Sequence, residues 1–559
     1  MATVSASILN ALPRGPTQAI WNELRNAVSI DPRRLIVLDD DPTGCQTVYD
    51  CNVLLDYSVE RIEEQLRKDE KLFYILTNTR SMPEDQAVAV TKEVVENVQI
   101  AVDRSLYRQH IQYISRSDST LRGHHPAEVQ AVADSVPVVF EGTILVPCFF
   151  EGGRITFNDV HYVCEGDMLT PAGETPFAKD SHFGFTSSDL KDWVVEKSKG
   201  TVTKDSIISI SLKDIREGGP NAVAEKLLSS AVVGRTVIVN AVHHHDLNTF
   251  MLGLLQAEAD GAHFIYRTAA SFVASRAGLE PRNLLTAAQL RADPAPSPLP
   301  SSLSSSSSSS STAPGGLIVV GSYVPKTSKQ LAALLAGGDV VPVEVSVKDV
   351  VAAARSGAPA AVEAVTAPVV DRINGLLAAG QHAVLFTTRG FLAGTTLADG
   401  QAVSDAVVDI VRRVAVQPSF LVAKGGITSH DVALKGLGIQ IARVVGQVEP
   451  GVPVWRAGQG SRFPDMHYVV FPGNVGDDDA LLRVAMTLGV NQSVAAAPAT
   501  RLTHADCRVL TELVAAQREG RALAAFNVYN LEGAKAAVAA AEKLQSPVML
   551  QVHPKQPLV

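Results

Sequence analysis

Three consecutive carboxylates near the amino terminus are the first group in this sequence that could do chemistry. Residues 35–38 form an apolar run, and Asp39, Asp40 and Asp41 come directly after it. In open α/β sheets, ligands bind beyond the carboxyl ends of the strands, which is where these side chains would lie. Crowded carboxylates raise one another's proton affinity or gather a cation. A helix cap or a solvated loop needs only one Asp, so three in a row favour a functional site.

A second polar segment, residues 115–125, also follows an apolar run. It carries Arg116 and Arg122 together with Asp118 and several hydroxyl groups, among them that of Ser119. Guanidinium groups bind carboxylate or phosphate bidentately, and hydroxyls with helix amino-terminal amides complete an anion site. An Arg–Asp ion pair beside a capping serine explains the same residues equally well, so this segment alone leaves both interpretations open.

Two further segments each bring one arginine to the end of a predicted strand. Arg80 closes residues 77–80, and Arg154 closes residues 151–154. Several strand-end arginines near a carboxylate cluster favour a pocket for a small, hydroxylated, anionic molecule over a purely structural role.

Three glycine-containing segments follow apolar runs in the second half, at residues 320–328, 423–429 and 471–476. Glycine lets the backbone come close to a ligand, and its amides can then point at phosphate oxygens. Each segment alone is weak evidence for a nucleotide site, because most glycine-rich segments only allow the chain to turn. Three such segments in one domain favour a nucleotide site. Neither the P-loop nor the Rossmann glycine motif occurs, so those two nucleotide-binding motifs are excluded.

Short apolar runs that alternate with amphipathic stretches predict the elements that would position these residues. In the first half, strands are predicted at 35–38, 53–55, 73–76, 111–114, 144–146 and 236–239, and helices at 59–67, 84–102 and 221–231. In the second half, strands are predicted at 317–320, 384–387, 420–422 and 468–471, and a helix at 360–379. This alternation predicts an α/β protein with two α/β domains and largely parallel sheets.

Composition changes predict the domain limits. A proline- and serine-rich tract at 291–316 separates a domain at 33–290 from one at 317–488, and such a tract is predicted to be a flexible linker. A second linker is predicted at 489–500. The segment 501–559 is predicted to form helix 504–519, strand 524–528, helix 531–544 and strand 547–552, which is too little to close a core alone.

The overall composition narrows the class of protein. A formal charge of −9 over 559 residues disfavours nucleic acid and anionic membranes as partners. The 5 cysteines form no C-x-x-C pair, so we expect free thiols and a cytoplasmic protein. The triplet 243–245 is all histidine, but contiguous histidines do not easily converge on one ion, so a polar loop is favoured over a metal site.

Taken together, four motifs resemble those of the four-carbon acid sugar kinase family. They are the Asp-Asp-x-Thr-Gly opening (residues 40–44), Asp-Ser-Thr-Leu-Arg-Gly (118–123), Lys-Gly-Gly-Ile-Thr-Ser (424–429) and Gly-Asn-x-Gly (473–476). Their order and spacing match, and the resemblance covers about residues 33–488. The sequence departs from many relatives at Pro42 and Arg116 and by its serine-rich insertion, and the first two put the identity of the substrate in question.

This resemblance implies a kinase whose first domain binds a sugar acid and whose second domain binds ATP. Phosphate would pass to the terminal hydroxyl of a four-carbon acid of the 3-oxo-tetronate, threonate or erythronate type, with Mg²⁺ bridging the phosphates. The base would be Asp40, Asp41 or Asp118, and the sequence does not choose among them. Carried over by motif, the substrate pocket would include Arg80, Ser119, Arg122 and Arg154, and the ATP site Ser322, Gly425, Gly426, Thr428, Gly473, Asn474 and Gly476.

Residues 525–533 and 547–554 resemble the opening of class II ketose-bisphosphate aldolases. Such an aldolase needs a whole (β/α)₈ barrel and zinc-binding histidines from later strands, so we expect no aldolase activity from this segment. A lyase acting through the segment stays as the alternative, and zinc content would separate it from a kinase. A protein that binds a sugar acid without turnover is a third alternative. The sequence is compatible with a monomer and with a homodimer.

Overall fold

The computed structural model describes residues 3–13, 15–105, 110–229, 232–292, 313–322, 324–388, 396–492, 524–528 and 548–552. Met1–Ser493 form one compact unit and Val494–Val559 a second one. Among the described residues, the helices are all too short or too polar to span a bilayer.

The first half of the larger unit contains twelve strands and nine α-helices among its described residues. The strands are β1 (Val4–Ser5), β2 (Arg34–Asp39), β3 (Cys51–Leu54), β4 (Leu72–Leu76), β5 (Ile111–Arg116), β6 (Gly142–Val146), β7 (Arg154–Phe157), β8 (Val160–Glu165), β9 (Met168–Pro171), β10 (Ile208–Ile210), β11 (Arg235–Val239) and β12 (Phe264–Thr268). The helices are α1 (Ala19–Ile30), α2 (Val59–Leu66), α3 (Glu84–Arg104), α4 (Ala127–Ser135), α5 (Leu190–Lys197), α6 (Gly219–Leu227), α7 (His244–Ala259), α8 (Ala270–Arg276) and α9 (Ala287–Ala292).

The second half continues with the same alternation of strand and helix. Its strands are β13 (Leu317–Val320), β14 (Val341–Val345), β15 (Ala383–Thr387), β16 (Phe420–Lys424), β17 (Ile441–Glu449), β18 (Val452–Ala457) and β19 (His467–Phe471). Its helices are α10 (Pro325–Gly337), α11 (Val347–Arg355), α12 (Pro359–Ala378), α13 (Leu397–Arg413), α14 (Gly426–Asp431) and α15 (Ala480–Thr487).

A single 15-stranded sheet runs through both halves, in the order β10-β11-β6-β12-β5-β2-β4-β3-β17-β18-β19-β16-β13-β15-β14. The strand pairs from β10 to β3 and from β19 to β14 in this order are parallel. The antiparallel pairs β3–β17, β17–β18 and β18–β19 join these two parallel sections. Every residue of β2 and of β4 is buried, as expected for strands covered by helices on both faces. The predicted fold class, two α/β domains with largely parallel sheets, is confirmed.

The predicted strands of both halves are present, most of them longer by one or two residues than the apolar runs that predicted them. The strands β10, β12 and β14 and the antiparallel strands β17 and β18 were not predicted from the sequence. A separate four-stranded sheet in the order β1-β9-β8-β7 was not predicted either. These elements carry polar residues inside them or alternate in burial, so they lack the continuous apolar run on which the prediction depended.

The second unit contains a parallel pair of strands, β20 (Ala524–Val528) and β21 (Val548–Val552). Both coincide with strands predicted from the sequence. The predicted helices at 504–519 and 531–544, and the serine-rich tract of the predicted linker, lie outside the described residues.

A buried ion network ties three helices of the first half together. Arg276, at the end of α8, is fully buried and donates to Asp31 (2.8 Å), which follows α1, and to Glu258 (2.9 Å) on α7. Arg33 contacts the same two carboxylates at 2.7 and 2.8 Å. Burial alone would raise the pKa of Asp31, but Arg276 and Arg33 outweigh it and lower that pKa to about 2.

We predict that Arg276→Met lowers the free energy of unfolding by about 3 kcal/mol, because two buried carboxylates lose the cation buried between them and keep only Arg33 and, for Asp31, the more distant Lys71 at 3.6 Å. The midpoint of urea unfolding measures the effect. The matched control is Arg25→Met, since Arg25 pairs with Glu280 at 2.8 Å in an exposed position and its loss should cost about 1 kcal/mol or less. Equal shifts in the two variants would contradict a stabilising role for the buried network.

Candidate functional site

The register of the sheet places polar residues side by side at the ends of neighbouring strands. Asp39, the last residue of β2, pairs with Arg116 of β5. Arg116 in turn pairs with Thr268, the last residue of β12. Because β2, β5 and β12 are parallel, the loops that follow them leave the sheet at one edge, and Asp40 and Asp41 stand on the first of these loops.

Asp40 is a buried carboxylate held by donors from two other loops. Arg80 donates to both of its oxygens, with an Nε–Oδ2 distance of 3.1 Å. The Ser117 hydroxyl donates to Oδ2 at 2.5 Å, and Arg116 Nη1 lies 3.8 Å from Oδ1. This bidentate contact joins Asp40, predicted from the first motif, to Arg80, the arginine predicted at the end of β4.

The guanidinium of Arg80 also reaches the other predicted carboxylates. Its Nη1 lies 3.5 Å from Asp41 and 3.8 Å from Asp118. Asp118 accepts a further hydrogen bond from Arg122 Nε at 2.7 Å and one from the Thr120 hydroxyl. The structure therefore brings Asp40, Asp41, Asp118, Arg80 and Arg122 into one contact network, which we call the charged cluster.

The carboxylates around the cluster differ in charge state. Burial raises the pKa of Asp39 to about 7, even though Arg116 Nη1 lies 3.1 Å away. Burial and the neighbouring Asp40 raise the pKa of Glu128 to about 7. Burial would also raise the pKa of Asp118, but Arg122 and Arg80 hold it well below its usual range.

Asp41 belongs to the carboxylates that stay ionised. Burial opposes this, but Arg80 and two hydrogen bonds from Thr43, through its amide (2.9 Å) and its hydroxyl (2.5 Å), lower its pKa below the ordinary value. The charged cluster thus holds an ionised Asp41 and Asp118 at neutral pH beside two carboxyl groups that titrate near neutrality.

The remaining predicted substrate residues lie beside the cluster with different contacts. Arg154 lies over the rings of Phe149 and Phe177, and Arg122 lies over the same Phe177 ring at 5.3 Å. Ser119 contributes its backbone carbonyl, which accepts a hydrogen bond from His161 Nε2 at 2.7 Å. This hydrogen bond fixes the loop on which Ser119 stands.

The glycine loops of the second half meet at the ends of β13, β16 and β19. A Cβ atom at Gly425, where φ is +116°, would lie 3.0 Å from the Ser322 Cβ. A Cβ at Gly473 would lie 3.3 Å from the Ser322 hydroxyl. Thr428 lies 3.4 Å from the same Gly425 position, so four of the predicted nucleotide residues are in close contact.

Asn474 and Gly476, two of the three remaining predicted nucleotide residues, lie with Gly473 on the loop after β19. Gly476 has a φ of +81°, a conformation that favours glycine. Gln330 of α10 donates to the backbone oxygens of Val475 (3.0 Å) and Asp477 (2.7 Å) and so fixes this loop. Asn474 is half-buried on it.

Helices α10 and α14 begin within or directly after two of these loops. The first turn of each helix has backbone N–H groups without intrahelical partners. Such amides suit phosphate oxygens.

Lys424 also lies among the glycine loops, although no role was predicted for it from the sequence. It ends β16, is fully buried, and donates to the Pro472 carbonyl beside the ring of Phe471. Burial, with a contribution from Lys326, lowers its pKa to about 6. Its place in the sequence could have indicated this role, because lysine commonly binds phosphate groups and Lys424 stands directly before the two glycines of the predicted nucleotide motif.

The charged cluster and the glycine loops contact each other. A Cβ atom at Gly426 would lie 2.8 Å from Asp41 Oδ2. A side chain at position 426 would therefore require the Asp41 carboxylate, which Arg80 and Thr43 hold, or the start of α14 to move. The contact therefore brings the backbone amides at the start of α14 next to the ionised carboxylate of Asp41.

Two other sequence features have structural roles. His243 caps α7, where its Nδ1 accepts from the amide of His245, and Asp246 completes a capping box. Cys45, Cys51, Cys148 and Cys164 are free thiols, and Cys507 lies outside the described residues.

Family models match three parts of the chain. A sugar-binding N-terminal domain matches residues 35–276 and a nucleotide-binding C-terminal domain matches residues 317–481. A class-II fructose-bisphosphate aldolase model matches residues 508–557. The first of these models covers the charged cluster and the second covers the glycine loops, in the order predicted from the sequence.

Solved structures with the same fold include a Salmonella typhimurium LT2 protein provisionally described as a tRNA synthase. It has a TM-score of 0.56 at 16% identity, over 81% of this chain and 98% of that one. A Haemophilus influenzae protein of the family DUF1537 has a TM-score of 0.52 at 16% identity, over 81% of this chain and 100% of that one.

A Bordetella bronchiseptica domain of unknown function, solved with citrate as a domain-swapped dimer, has a TM-score of only 0.33 at 20% identity, over 81% of this chain and 98% of that one. No curated protein matches the chain by sequence.

We predict that Gly426→Ala disrupts the contact between the two halves of the site. The new methyl group would lie 2.8 Å from Asp41 Oδ2, so the carboxylate or the α14 loop must move. We expect at least a tenfold weaker affinity for nucleotide with an unfolding midpoint close to that of the wild type. Titration calorimetry with an ATP analogue measures the affinity.

The control for that variant is Gly400→Ala. Gly400 lies on α13, and a Cβ atom there would meet nothing within 4 Å. Helix propensity favours alanine by up to about 1 kcal/mol at such a position, so stability should rise or stay constant and nucleotide affinity should not change. A Gly426→Ala variant that behaves like this control would show that the contact is unimportant.

We predict that Asp39 makes the stability of the protein fall as pH rises from about 4 to about 7. The unfolded carboxyl loses its proton near its ordinary pKa of about 3.9, whereas the folded one keeps it up to about 7. The folded state therefore binds more protons in this window, and its stability decreases with pH. Unfolding midpoints of the wild type and Asp39→Asn at pH 5 and pH 8 test this. Asp39→Asn should lose less stability than the wild type between pH 5 and pH 8. An equal loss in the two proteins would contradict the raised pKa of Asp39.

Proposed function

Because the chain belongs to the four-carbon acid sugar kinase family, we propose that it transfers the γ-phosphoryl group of ATP to the terminal hydroxyl of a four-carbon sugar acid. The observation that carries this proposal is the contact between Asp41 and Gly426. It unites a site suited to a hydroxylated anion with a site suited to phosphates. Phosphoryl transfer depends mainly on such positioning and on stabilisation of charge.

The charged cluster supports the substrate half of the proposal. Arg80 and Arg122 are held in place by buried carboxylates, and Arg154 is held by the aromatic rings of Phe149 and Phe177. Fixed guanidinium groups lose little entropy on binding an anion. The hydroxyls of a sugar acid can accept from these groups and donate to Asp40 or Asp118.

The glycine loops support the nucleotide half. The Gly425 amide already donates to the Phe471 carbonyl at 2.8 Å. Backbone amides near Gly426 and Gly473 can bind phosphate oxygens, as can the starts of α10 and α14. Lys424 lies between the loops with a pKa lowered to about 6 by burial and by Lys326, and bound phosphates would favour its charged form.

A Mg²⁺ ion would accompany ATP, held mainly by the phosphates and by water, as this ion usually is in proteins. Asp41, the ionised carboxylate beside the glycine loops, would contact the ion only through such a water, because the role of base is assigned to it below. The described residues contain no group of three or more His, Cys, Asp and Glu that could hold a metal ion by itself. When bound, Mg²⁺ would neutralise charge on the phosphates.

Among the three carboxylates that the sequence left open, we assign the role of base to Asp41. It is the one in contact with Gly426, where the phosphates would lie. Asp40 is occupied by the bidentate contact with Arg80, and Asp118 by Arg122 and Thr120. These two carboxylates are placed to orient the arginines and the substrate hydroxyls.

A coupled assay for ADP release tests the proposed function. The purified chain is incubated with Mg-ATP and, separately, with threonate, erythronate and 3-oxo-tetronate. We expect saturable ADP release with at least one acid and little without any acid. Saturable binding of an acid by calorimetry, without ADP release, would contradict the kinase and favour a binding protein.

We predict that Asp41→Asn lowers kcat by about 100-fold or more, the size of a general-base contribution, while the Kd of the sugar acid changes only a few-fold. Steady-state kinetics and calorimetry on the same preparation measure the two quantities. The control is Asp85→Asn, an exposed residue of α3 whose change should leave both unaltered. A kcat close to that of the wild type would remove Asp41 from the mechanism.

A further inference from the structure

Arg122 has a second carboxylate partner, which lies outside the charged cluster. Its Nε donates to Asp118 at 2.7 Å, and its Nη1 lies 3.6 Å from Asp180 Oδ2. A guanidinium binds a carboxylate bidentately through a pair of its nitrogens, Nε with Nη2 or Nη1 with Nη2. The two contacts therefore engage one nitrogen of each pair. An anion from outside the protein that binds Arg122 bidentately has to displace one of the two carboxylates.

The two carboxylates that contact Arg122 are held to different degrees. Asp118 also accepts from the Thr120 hydroxyl and lies 3.8 Å from Arg80, and its side chain is 11% exposed. The Asp180 side chain is 26% exposed, and its distance to Arg122 is longer. A partly exposed ion pair contributes little to stability, so Asp180 is the partner that an external anion displaces at low cost.

The two oxygens of the Asp180 carboxylate have different partners. Oδ1 accepts from the backbone amides of His182 (2.9 Å) and Phe183 (3.1 Å), and Oδ2 faces Arg122. Burial would raise the pKa of Asp180, but these two amides and Arg122 lower it below the ordinary value, so the group is ionised at neutral pH. The contacts of Oδ1 stabilise the loop, whereas the contact of Oδ2 reaches out of the loop to Arg122.

Asp180 stands on a segment that lies over the arginines proposed for substrate binding. We call residues 176–183 the cover segment. The centre of its Phe177 ring lies 5.3 Å from Arg122 Cζ and 5.9 Å from Arg154 Cζ. The Asp180 amide donates to the Phe177 carbonyl at 3.3 Å. Because the ring and the carboxylate belong to one turn, displacement of Asp180 would also move the ring that lies over both arginines.

We propose that Asp180 is an internal competitor of the substrate, which occupies Arg122 in the ligand-free protein and is displaced when an anionic substrate binds. That this anion is a four-carbon sugar acid rests on the proposed function. While the site is empty, Asp180 balances part of the charge on Arg122. Its presence lowers the affinity for the acid and makes acid binding depend on a movement of the cover segment.

Asp180→Asn tests this proposal, because asparagine keeps an oxygen for the amides of His182 and Phe183 and removes the negative charge beside Arg122. Calorimetry without ATP should give a Kd for threonate or erythronate about three- to fivefold lower than that of the wild type, the size expected for a partly exposed ion pair. A merely structural role of Asp180 would weaken binding instead. The Kd for an ATP analogue and the unfolding midpoint should stay close to the wild-type values.

Asp214→Asn is the matched control. The Asp214 side chain is 28% exposed, accepts from the Ser211 amide at 2.7 Å and pairs with Lys226 at 2.9 Å. It resembles Asp180 in its exposure and in its two kinds of partner, but neither Ser211 nor Lys226 belongs to the charged cluster. The replacement removes the same charge from the chain and should leave the acid Kd unchanged.

Three results would overturn the role of Asp180. An acid Kd that is equal in Asp180→Asn and the wild type would show that this residue does not limit binding, and the kinase proposal would be unaffected. A higher acid Kd in Asp180→Asn would show that the carboxylate helps to bind the acid. An acid Kd lowered by the same factor in Asp180→Asn and Asp214→Asn would show an effect of net charge only.

Two further results separate this role from the proposed function. A lower acid Kd in Asp180→Asn alone, without ADP release in the coupled assay, would support the internal competitor and contradict the kinase. A wild type that binds none of the acids would contradict both.

Discussion

The charged cluster depends on one constraint: a buried carboxylate must have a cation or several donors within contact distance. Arg80 meets this constraint for Asp40, Asp41 and Asp118 at once, at distances of up to 3.8 Å. These groups stand on loops after β2, β4 and β5, so the parallel order of the strands is what allows them to meet. The same ion pairs fix the guanidinium groups that we propose for substrate binding.

The charged cluster and the glycine loops contact each other because the sheet continues from the first half into the second. The antiparallel strands β17 and β18 make that connection, and Trp455 of β18 donates to the Cys45 sulfur at 3.0 Å in the loop that carries the carboxylates. Gln46 of this loop donates to the Gly451 carbonyl in the β17–β18 turn at 3.0 Å. The position of Asp41 against Gly426 is therefore supported from both halves.

Much of this architecture could be predicted from the sequence, because β2, β4, β5, β13 and β16 are short apolar runs followed at once by polar residues. The strand β12 was not predicted because the polar residues Arg267 and Thr268 are part of it. The pairing of β3 with β17 joins residues almost 400 positions apart, which no local pattern indicates. The raised pKa of Asp39 likewise depends on burial that only the folded structure defines.

In the proposed reaction, ATP and the sugar acid are bound on the two sides of the contact between Asp41 and Gly426. A crystal structure with a non-hydrolysable ATP analogue, Mg²⁺ and a four-carbon sugar acid would test this arrangement. We expect the terminal phosphate beside Gly426 and the terminal hydroxyl of the acid beside Asp41, with the reacting atoms about 3–3.5 Å apart. A phosphate chain on the glycine loops with the acid bound elsewhere, too far for transfer, would contradict the account.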